Sequence, residues 1–242
     1  MKILVTGHKG FIGKNVFSYL QENFGSSNVC GIDRPEGVEN FSGGDYDLVV
    51  HLAAFANIRE SLENPKKFYE NNVINAKKLF DWCGEKNTRL LYASSSAVEE
   101  DYWENPYAMT KWINEQMSPP NSVGMRFTTV YGPDSRSDMM YRMLEDKTAT
   151  YVTNHKRDWI HVTDVCRAIL YLAPTDICGP VSVGSGQSVY VKDLAKKMGM
   201  GHLPVKELTP GERQDNVADI SLLSSTGWRP TINVLDTVND NT

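Results

Sequence analysis

A tyrosine and a lysine in the middle of the chain are spaced for proton transfer. Tyr107 and Lys111 stand four residues apart, which would place them on one face of a helix. A free tyrosine has a pKa near 10 and is a poor base at neutral pH. A lysine ammonium and a cationic nicotinamide ring nearby would stabilise its phenolate, and lowering the pKa by about 3 units requires roughly 4 kcal/mol. Beside a nicotinamide, such a pair suits the oxidation of an alcohol, in which the tyrosine takes the hydroxyl proton and the nicotinamide takes the hydride.

Three serines precede this pair. Ser94, Ser95 and Ser96 follow the apolar run RLLYA, and a hydroxyl at the end of a strand can orient a substrate hydroxyl. Taken singly, a Tyr-x-x-x-Lys spacing is usually a surface helix and a serine run is usually a polar cap on a strand. The combination favours the redox chemistry.

Glycines near the N-terminus predict a dinucleotide site. Gly7, Gly10 and Gly13 follow an apolar run and open a helical stretch, where a tight turn and an unpaired helix N-terminus can receive a pyrophosphate. Asp33 follows 20 residues after Gly13, where a carboxylate would accept hydrogen bonds from the adenosine ribose. That carboxylate would repel a 2′-phosphate, which favours NAD over NADP, although the neighbouring Arg34 could accept such a phosphate.

These groups need a scaffold of alternating strands and helices, and the first 130 residues supply one. Strands are predicted at residues 2–6, 29–33, 48–53, 89–93 and 123–128, and helices at residues 11–24, 65–86 and 106–117. Asn105 is the predicted N-cap of the last helix, and Pro106 lies in its first turn. The alternation predicts an α/β fold with a doubly wound parallel sheet, whose ligands lie beyond the carboxyl ends of the strands.

Composition excludes several classes of protein. The chain has 242 residues, of which 40% are hydrophobic and 23% charged, as in an ordinary globular protein. The net charge of −5 argues against nucleic-acid binding, and the longest apolar runs are too short to span a membrane. Cys30, Cys83, Cys166 and Cys178 are far apart, without metal-ligand or Cys-x-x-Cys spacing, which favours reduced thiols, a cytoplasmic protein and no bound metal.

Ordered motifs along almost the whole chain carry a family resemblance. They are VTGHKGFIG, DLVVHLAAFANIRESLENPKKFYENNV, LLYASSSAV, YAMTK, MRFTTVYGP, RDWIHVTDV and GER, followed by ADISLL. The sequence resembles an extended short-chain dehydrogenase/reductase of the NAD-dependent sugar-nucleotide epimerase/dehydratase group. The resemblance implies a Rossmann domain at residues 1–130 and a small C-terminal lobe, mainly for substrate binding, at residues 131–242. Segments around residues 156–185 are expected to return to the Rossmann sheet.

The resemblance also implies residue roles. Ser95, Tyr107 and Lys111 match the catalytic positions, and Ser95, Ser96, Arg157 and Arg213 match substrate-binding positions. The implied cofactor-binding residues are Gly7, Gly10, Phe11, Ile12, Gly13, Asp33, Arg34, Leu52, Ala53, Ala54, Asn72, Ala93, Ser94, Tyr107, Lys111 and Tyr131.

Departures from the family pattern bear on the reaction. Dehydratases of the family have the pattern Thr-Asp-Glu at the end of this strand, where the Asp and Glu act as acid and base. Here the corresponding residues are Ser95, Ser96 and Ala97, so that acid and base are missing. The remaining set suits epimerisation at C4 through a transient keto sugar. An NAD(P)H-dependent keto-sugar-nucleotide reductase or dehydrogenase and a non-catalytic NAD(H)-binding regulator remain as alternatives. The acidic run Glu99–Glu100–Asp101 could supply substitute acids, but such a run is more often a solvated face.

The resemblance further implies partners. We expect a nucleotide-sugar substrate, UDP-linked by preference, and a homodimer formed by the helices around residues 66–86 and 106–117. We expect neither nucleic acid nor a membrane as a partner.

Overall fold

A six-stranded parallel sheet forms the centre of the protein. The computed structural model describes residues 1–99, 101–206 and 214–238. The sheet strands are β1 (Ile3–Thr6), β2 (Val29–Ile32), β3 (Leu48–His51), β4 (Arg89–Ser95), β5 (Ser122–Phe127) and β9 (Gly179–Val183). Their order is β2-β1-β3-β4-β5-β9, and every neighbouring pair is parallel. The predicted doubly wound parallel sheet is confirmed.

Helices cover both faces of this sheet. They are α1 (Phe11–Phe24), α2 (Ile58–Glu63), α3 (Pro65–Tyr69), α4 (Ala76–Lys86), α5 (Pro106–Met117) and α7 (Val162–Leu172). Successive side chains of β1 alternate between the faces, with Ile3 and Val5 in the core under α1 and α7 and Leu4 in the core under α4. Strand β2 is added on one side of β1, and the chain then crosses back to add β3 on the other side. The gap between β1 and β3 is the switch point, where such sheets bind ligands.

The three helices predicted from the sequence begin at the predicted residues. Helix α1 has the predicted bounds, and the Asn105 side chain caps α5 by accepting a hydrogen bond from the Ala108 N–H at 2.7 Å. The predicted helix at residues 65–86 contains α3, one π-helical turn (Glu70–Asn75) and α4.

The remaining elements form a smaller layer beside the sheet. They are β6 (Thr129–Tyr131), α6 (Met140–Glu145), β7 (Val152–Thr153), β8 (Lys156–His161), β10 (Ser188–Tyr190), α8 (Val191–Lys197), β11 (Val205–Lys206) and α9 (Ser221–Ser225). Strands β10, β8 and β6 form one small sheet and β11 and β7 another. Of the region 156–185, β9 joins the main sheet, whereas β8 lies in the small one. The domain boundary at residue 130 remains a prediction.

One buried carboxylate ties this layer together. Asp158 of β8 is fully buried and accepts hydrogen bonds from the N–H groups of Ser185, Gly186 and Ala218. A buried charge needs several donors, and backbone N–H groups supply them here. Within the described residues, no helix is long and apolar enough to cross a membrane.

Candidate active site

The glycine turn after β1 is packed too closely for side chains. Gly7 has φ +74°, and a Cβ there would lie 2.7 Å from the Ala53 nitrogen. A Cβ on Gly13 would overlap the Gly7 carbonyl oxygen and lie 2.7 Å from the Gly7 carbonyl carbon. The turn therefore holds the start of α1 directly against the segment that follows β3, at the switch point of the sheet.

The N-terminus of α1 is free to bind an anion. Its N-cap, Gly10, makes no side-chain capping hydrogen bond, and its first turn carries no acidic residue. The first N–H groups of a helix have no partner within the helix, and the helix dipole places partial positive charge there. Gly10, Phe11, Ile12 and Gly13 all line the cleft at this point, so these groups fit a pyrophosphate.

Asp33 lies beside the same turn, at the end of β2. Its carboxylate accepts hydrogen bonds from the N–H groups of Lys9 at 2.7 Å and Arg34 at 2.8 Å. A cavity of about 490 Å³ opens here, and its lining includes Asp33, Arg34, Leu52, Ala53 and Ala54. These residues suit the adenosine half of a dinucleotide, as the sequence predicts.

The predicted catalytic residues lie in an adjoining cavity of about 450 Å³. Ala93, Ser94, Ser95, Tyr107 and Lys111 line it together. It shares Gly7, Gly10, Arg34, Leu52, Ala54 and Phe55 with the adenosine-side cavity, so the two form one continuous cleft. The size and continuity of the cleft fit a dinucleotide whose nicotinamide end reaches Tyr107.

Burial dominates the electrostatics of the tyrosine and the lysine. The Lys111 ammonium donates to the Ala93 carbonyl oxygen at 2.7 Å and lies 5.9 Å from the centre of the Tyr107 ring. Burial lowers the pKa of Lys111 to about 7, and it raises the pKa of Tyr107, against opposing effects of the Ser95 hydroxyl and the Arg136 guanidinium. The lowered tyrosine pKa expected from the sequence includes the effect of a cationic nicotinamide ring beside the phenol. In the protein alone, the phenol stays protonated.

The three serines have different environments. The Ser94 hydroxyl donates to Glu115 at 2.6 Å, and Glu115 pairs with Arg126 at 2.7 Å. The Ser96 hydroxyl accepts a hydrogen bond from the Asn216 amide at 3.0 Å. Ser95 accepts from the Ala97 N–H at 3.2 Å and reaches Tyr107 with its hydroxyl. Ser95 is therefore the serine best placed to contact a reacting hydroxyl.

Two predicted cofactor residues are engaged in packing. Asn72 is buried, and its amide bonds the backbone N–H and carbonyl of Phe55 and the Thr110 hydroxyl. It fixes the segment that lines the cleft. Tyr131 is fully buried in the core of the smaller layer, with its ring 4.7 Å from that of Tyr141.

A third cavity, of about 520 Å³, continues the cleft past Tyr107. It shares Ala56, Asn57, Thr129, Arg136 and Asp138 with the central cavity. Arg157, predicted from the resemblance, lines it, whereas Arg213 lies outside the described residues. The Arg59 guanidinium donates to the Tyr151 hydroxyl at 3.3 Å across this cavity.

Sequence reasoning missed most of this third cavity. Arg59, Arg136, Tyr151 and His155 line it. Arg59 lies within the motif DLVVHLAAFANIRESLENPKKFYENNV but was not assigned a role, and the other three belong to no periodic pattern or quoted motif. Burial and the charge of Arg157 lower the pKa of His155 to about 4, so it is neutral at pH 7. For the three residues that follow Pro133, the only available signal in the sequence was the density of cations in that stretch, which does not predict where a side chain lies in the fold.

Of the acidic run, Glu99 lies outside the lining of the three cavities of the cleft. The Glu99 carboxylate accepts a hydrogen bond from the Ser182 hydroxyl at 3.1 Å, and Glu100 lies outside the described residues. Two other carboxylates, Glu60 and Asp138, line the central cavity. Each has a cationic partner: Lys67 at 2.5 Å from Glu60 and Arg136 at 2.9 Å from Asp138. No group of three or more metal-ligating side chains occurs in residues 1–99, 101–206 and 214–238.

Comparisons with known proteins show the family and the fold. The model of the NAD dependent epimerase/dehydratase family matches residues 3–181. An uncharacterized protein of Methanocaldococcus jannaschii is 28% identical, over 96% of this chain and 92% of its own length. UDP-glucuronate 4-epimerase 2 of Arabidopsis thaliana is also 28% identical, over 86% of this chain and 60% of its own length.

A solved structure shares the fold. MoeE5 in complex with UDP-glucose and NAD has a TM-score of 0.87 and 23% sequence identity, covering 99% of this chain and 97% of that one. The resemblance stated from the sequence is confirmed. NAD, the expected cofactor, is also confirmed, since the matching family is described as NAD-dependent.

Proposed function

Because the chain belongs to the NAD-dependent epimerase/dehydratase family, we propose that it is a nucleotide-sugar epimerase that acts at C4. One observation carries the proposal. Ser95, Tyr107 and Lys111 meet where the dinucleotide cleft opens into a cation-lined cavity. Ser96 and Ala97 offer no acid or base, and the two carboxylates nearby are held in ion pairs. This set can oxidise and reduce an alcohol but lacks the free acid–base pair that elimination of water needs.

The chain's residues divide the work of such a reaction. NAD, held between the glycine turn and Asp33, would supply the hydride acceptor for oxidation at C4 and the hydride donor for reduction from the opposite face of the sugar. Tyr107 takes the proton of the C4 hydroxyl during oxidation and gives it back on reduction. The Ser95 hydroxyl orients the reacting oxygen beside Tyr107. Lys111, fixed on the Ala93 carbonyl, would hold the cofactor ribose, and its protonated ammonium favours the Tyr107 phenolate.

The nucleotide end of the substrate fits the third cavity. Arg59, Arg136 and Arg157 line it with Asp138, so cations outnumber anions among the described lining residues. A diphosphate is the substrate group that guanidinium clusters bind best. UDP is the preferred nucleotide because the Arabidopsis relative is a UDP-glucuronate 4-epimerase and MoeE5 is complexed with UDP-glucose.

The test is turnover on a panel of UDP-, GDP- and dTDP-sugars, including UDP-glucuronate, with catalytic NAD and detection by NMR. We expect a C4 epimer without net NADH, and a loss of about 1,000-fold in kcat in Tyr107→Phe. Tyr171→Phe is the matched control, because Tyr171 is 37% exposed and lies outside the cleft lining. A product that forms only with stoichiometric NADH would replace the epimerase with a reductase. NAD binding without any turnover would favour a regulator.

We also propose a homodimer formed through the helices that carry the site. Tyr69, Ile74 and Trp103 are 46%, 52% and 62% exposed, on or beside the adjacent segments α3, the π-helical turn and α5. Burying such apolar side chains would stabilise association. Light scattering should give twice the chain mass for the wild type and a lower mass for Ile74→Asp. A wild-type mass of 27.2 kDa would contradict the dimer.

The cysteines support a cytoplasmic location as part of this proposal. All four are free: Cys30 and Cys178 are exposed, and Cys83 and Cys166 are buried. Free exposed thiols persist in a reducing compartment. Recovery of the native protein outside the cytoplasmic fraction of its cells would contradict this location.

A further inference from the structure

The connection between β2 and β3 lines the adenosine end of the cleft. The connection from β2 to β3 is residues 33–47, which contain a single short 3₁₀ turn (Val38–Asn40). Gly37, Val38 and Glu39 of this connection form one side of the cavity, and Asn71 and Asn75 lie on the opposite helical segment. Because this end also contains Asp33, it is where the adenosine of NAD is expected.

The π-helical turn Glu70–Asn75 explains how asparagines come to face both ways. A π turn inserts an extra residue into a helix and so rotates the side chains around it. Asn72 points inward and fixes the Phe55 backbone and Thr110. Asn71 and Asn75 line the cavity instead. The same short turn therefore fixes the floor of the cleft and presents amides to the ligand.

Of the two carboxamides that line this cavity, Asn75 is the one whose donors and acceptor are all uncommitted within the described residues. The Asn71 amide nitrogen donates to Asn72 at 2.9 Å. The Asp33 carboxylate accepts from Lys9 and Arg34 and cannot donate. The Asn75 side chain makes no hydrogen bond to any residue in the described ranges 1–99, 101–206 and 214–238, and it is half-buried at the cavity wall. Its amide thus offers an acceptor and two donors.

Adenine presents a matching pattern. Its exocyclic amino group donates beside a ring nitrogen that accepts, and a carboxamide can satisfy both atoms at once. The charged residues of the cavity cannot: Lys9 and Arg34 only donate, and Asp33 and Glu39 only accept when ionised. We propose that the Asn75 side-chain amide hydrogen-bonds the amino group and the adjacent ring nitrogen of the adenine of NAD. These hydrogen bonds would make this cleft selective for an adenine dinucleotide.

The test measures binding of two ligands to the cofactor-free full chain by calorimetry. One is NAD, and the other is the NAD analogue that carries an unsubstituted purine in place of adenine, which lacks only the exocyclic amino group. We expect the wild type to bind NAD about tenfold more tightly than the purine analogue. Asn75→Ala should bind NAD about tenfold more weakly and show less than about twofold preference between the ligands.

Two further variants keep the result clear. Asn75→Leu preserves the side-chain volume and should behave like Asn75→Ala, so it replaces that variant if the alanine chain does not fold. Asn23→Ala is the matched control, since Asn23 lies at the far end of α1 and its amide bonds only the Tyr19 carbonyl. It should keep the wild-type preference.

The proposal is overturned if the wild type does not distinguish the two ligands, or if both Asn75 variants retain its preference. No sugar substrate enters the measurement, so its outcome is independent of the proposed epimerase activity.

Discussion

The two ends of the cleft are built in different ways. At the cofactor end, backbone groups and small residues line the surface directly after β1 and β3, as at Gly7, Gly13 and Ala53. At the other end, long charged side chains from separate segments converge, as with Arg59 on α2 and Arg157 on β8. The cofactor end is therefore rigid and determined by backbone geometry. The substrate end depends on side chains that can be exchanged without disturbing the sheet.

The glycine turn offers the strongest test of this contrast. In Gly13→Ala, the new Cβ would overlap the Gly7 carbonyl, so the backbone must move. We expect at least about 100-fold weaker NAD binding, and a loss of about 3 kcal/mol in the free energy of unfolding of the cofactor-free protein. Calorimetry and urea denaturation measure the two quantities.

Gly10→Ala is the matched variant. Gly10 has φ −75°, and a Cβ there meets its nearest neighbour, the Gly7 oxygen, at 3.3 Å. We expect the stability of the cofactor-free protein to stay within about 1 kcal/mol of the wild type, although the methyl group would crowd the pyrophosphate. Equal stability losses in both variants would show that the turn is not the rigid part of the cleft.

This contrast also decides what the sequence can reveal. The glycine turn, Asp33 and the Asn105 cap follow from residues close together in the chain, so spacing alone locates them. Arg59 and Tyr151 are 92 residues apart, and only the folded chain brings them into contact. Arg136 has no neighbouring pattern and was missed for the same reason.

Packing accounts for the remaining differences. Asn72 matches a family position near the cofactor, but in this chain its amide is used by Phe55 and Thr110. Tyr131 follows a strand end, yet β6 belongs to the small sheet and turns the ring into the second core. A residue's position along the chain fixes its neighbourhood, whereas hydrogen bonds and packing decide which way its side chain faces.

At the substrate end, Arg157→Gln should separate the two binding functions. If this guanidinium binds the diphosphate as proposed, its removal should weaken UDP binding about 30-fold, because hydrogen bonds to charged groups contribute about 1.5–3 kcal/mol each. NAD binding should change less than about twofold, since Arg157 lines only the third of the three cavities described along the cleft. Calorimetric titrations with UDP and NAD check both.

Arg142→Gln is the control for this experiment. Arg142 is paired with Glu145 and Asp146 on α6, outside the cleft lining. It should leave UDP binding unchanged. An equal loss in both arginine variants would mean that net charge, and not a specific site, attracts the nucleotide.

The serines allow a comparison between neighbouring residues at the meeting point of the two ends. Ser95→Ala should lower kcat about tenfold, because it removes a hydroxyl that reaches Tyr107. Ser94→Ala should leave kcat within about twofold but lower the free energy of unfolding by about 1 kcal/mol, since it removes the hydrogen bond to Glu115. Steady-state kinetics and urea denaturation of both variants measure these effects. The opposite pattern would place Ser94 at the reacting oxygen.

The last prediction concerns the pH dependence of stability and Lys111. Burial lowers the pKa of Lys111 to about 7 in the folded protein, whereas an unfolded lysine has a pKa near 10.4. Between these values the unfolded chain binds the extra proton, so the contribution of Lys111 to stability rises with pH, by up to about 1.4 kcal/mol per pH unit. Below pH 7 both states are protonated and the contribution no longer changes.

Lys111→Met should remove this dependence. We expect the difference in unfolding free energy between the wild type and Lys111→Met to rise from pH 7.5 to 9.5, a range chosen to lie between about 7 and 10.4 and below the raised pKa of Tyr107. Lys77→Met, which removes an exposed lysine paired with Asp81, should give no such rise. Parallel curves for the wild type and Lys111→Met would mean that Lys111 keeps its proton in the fold. It would then present a permanent cation to Tyr107, and the chemistry would depend less on the charge that the cofactor brings.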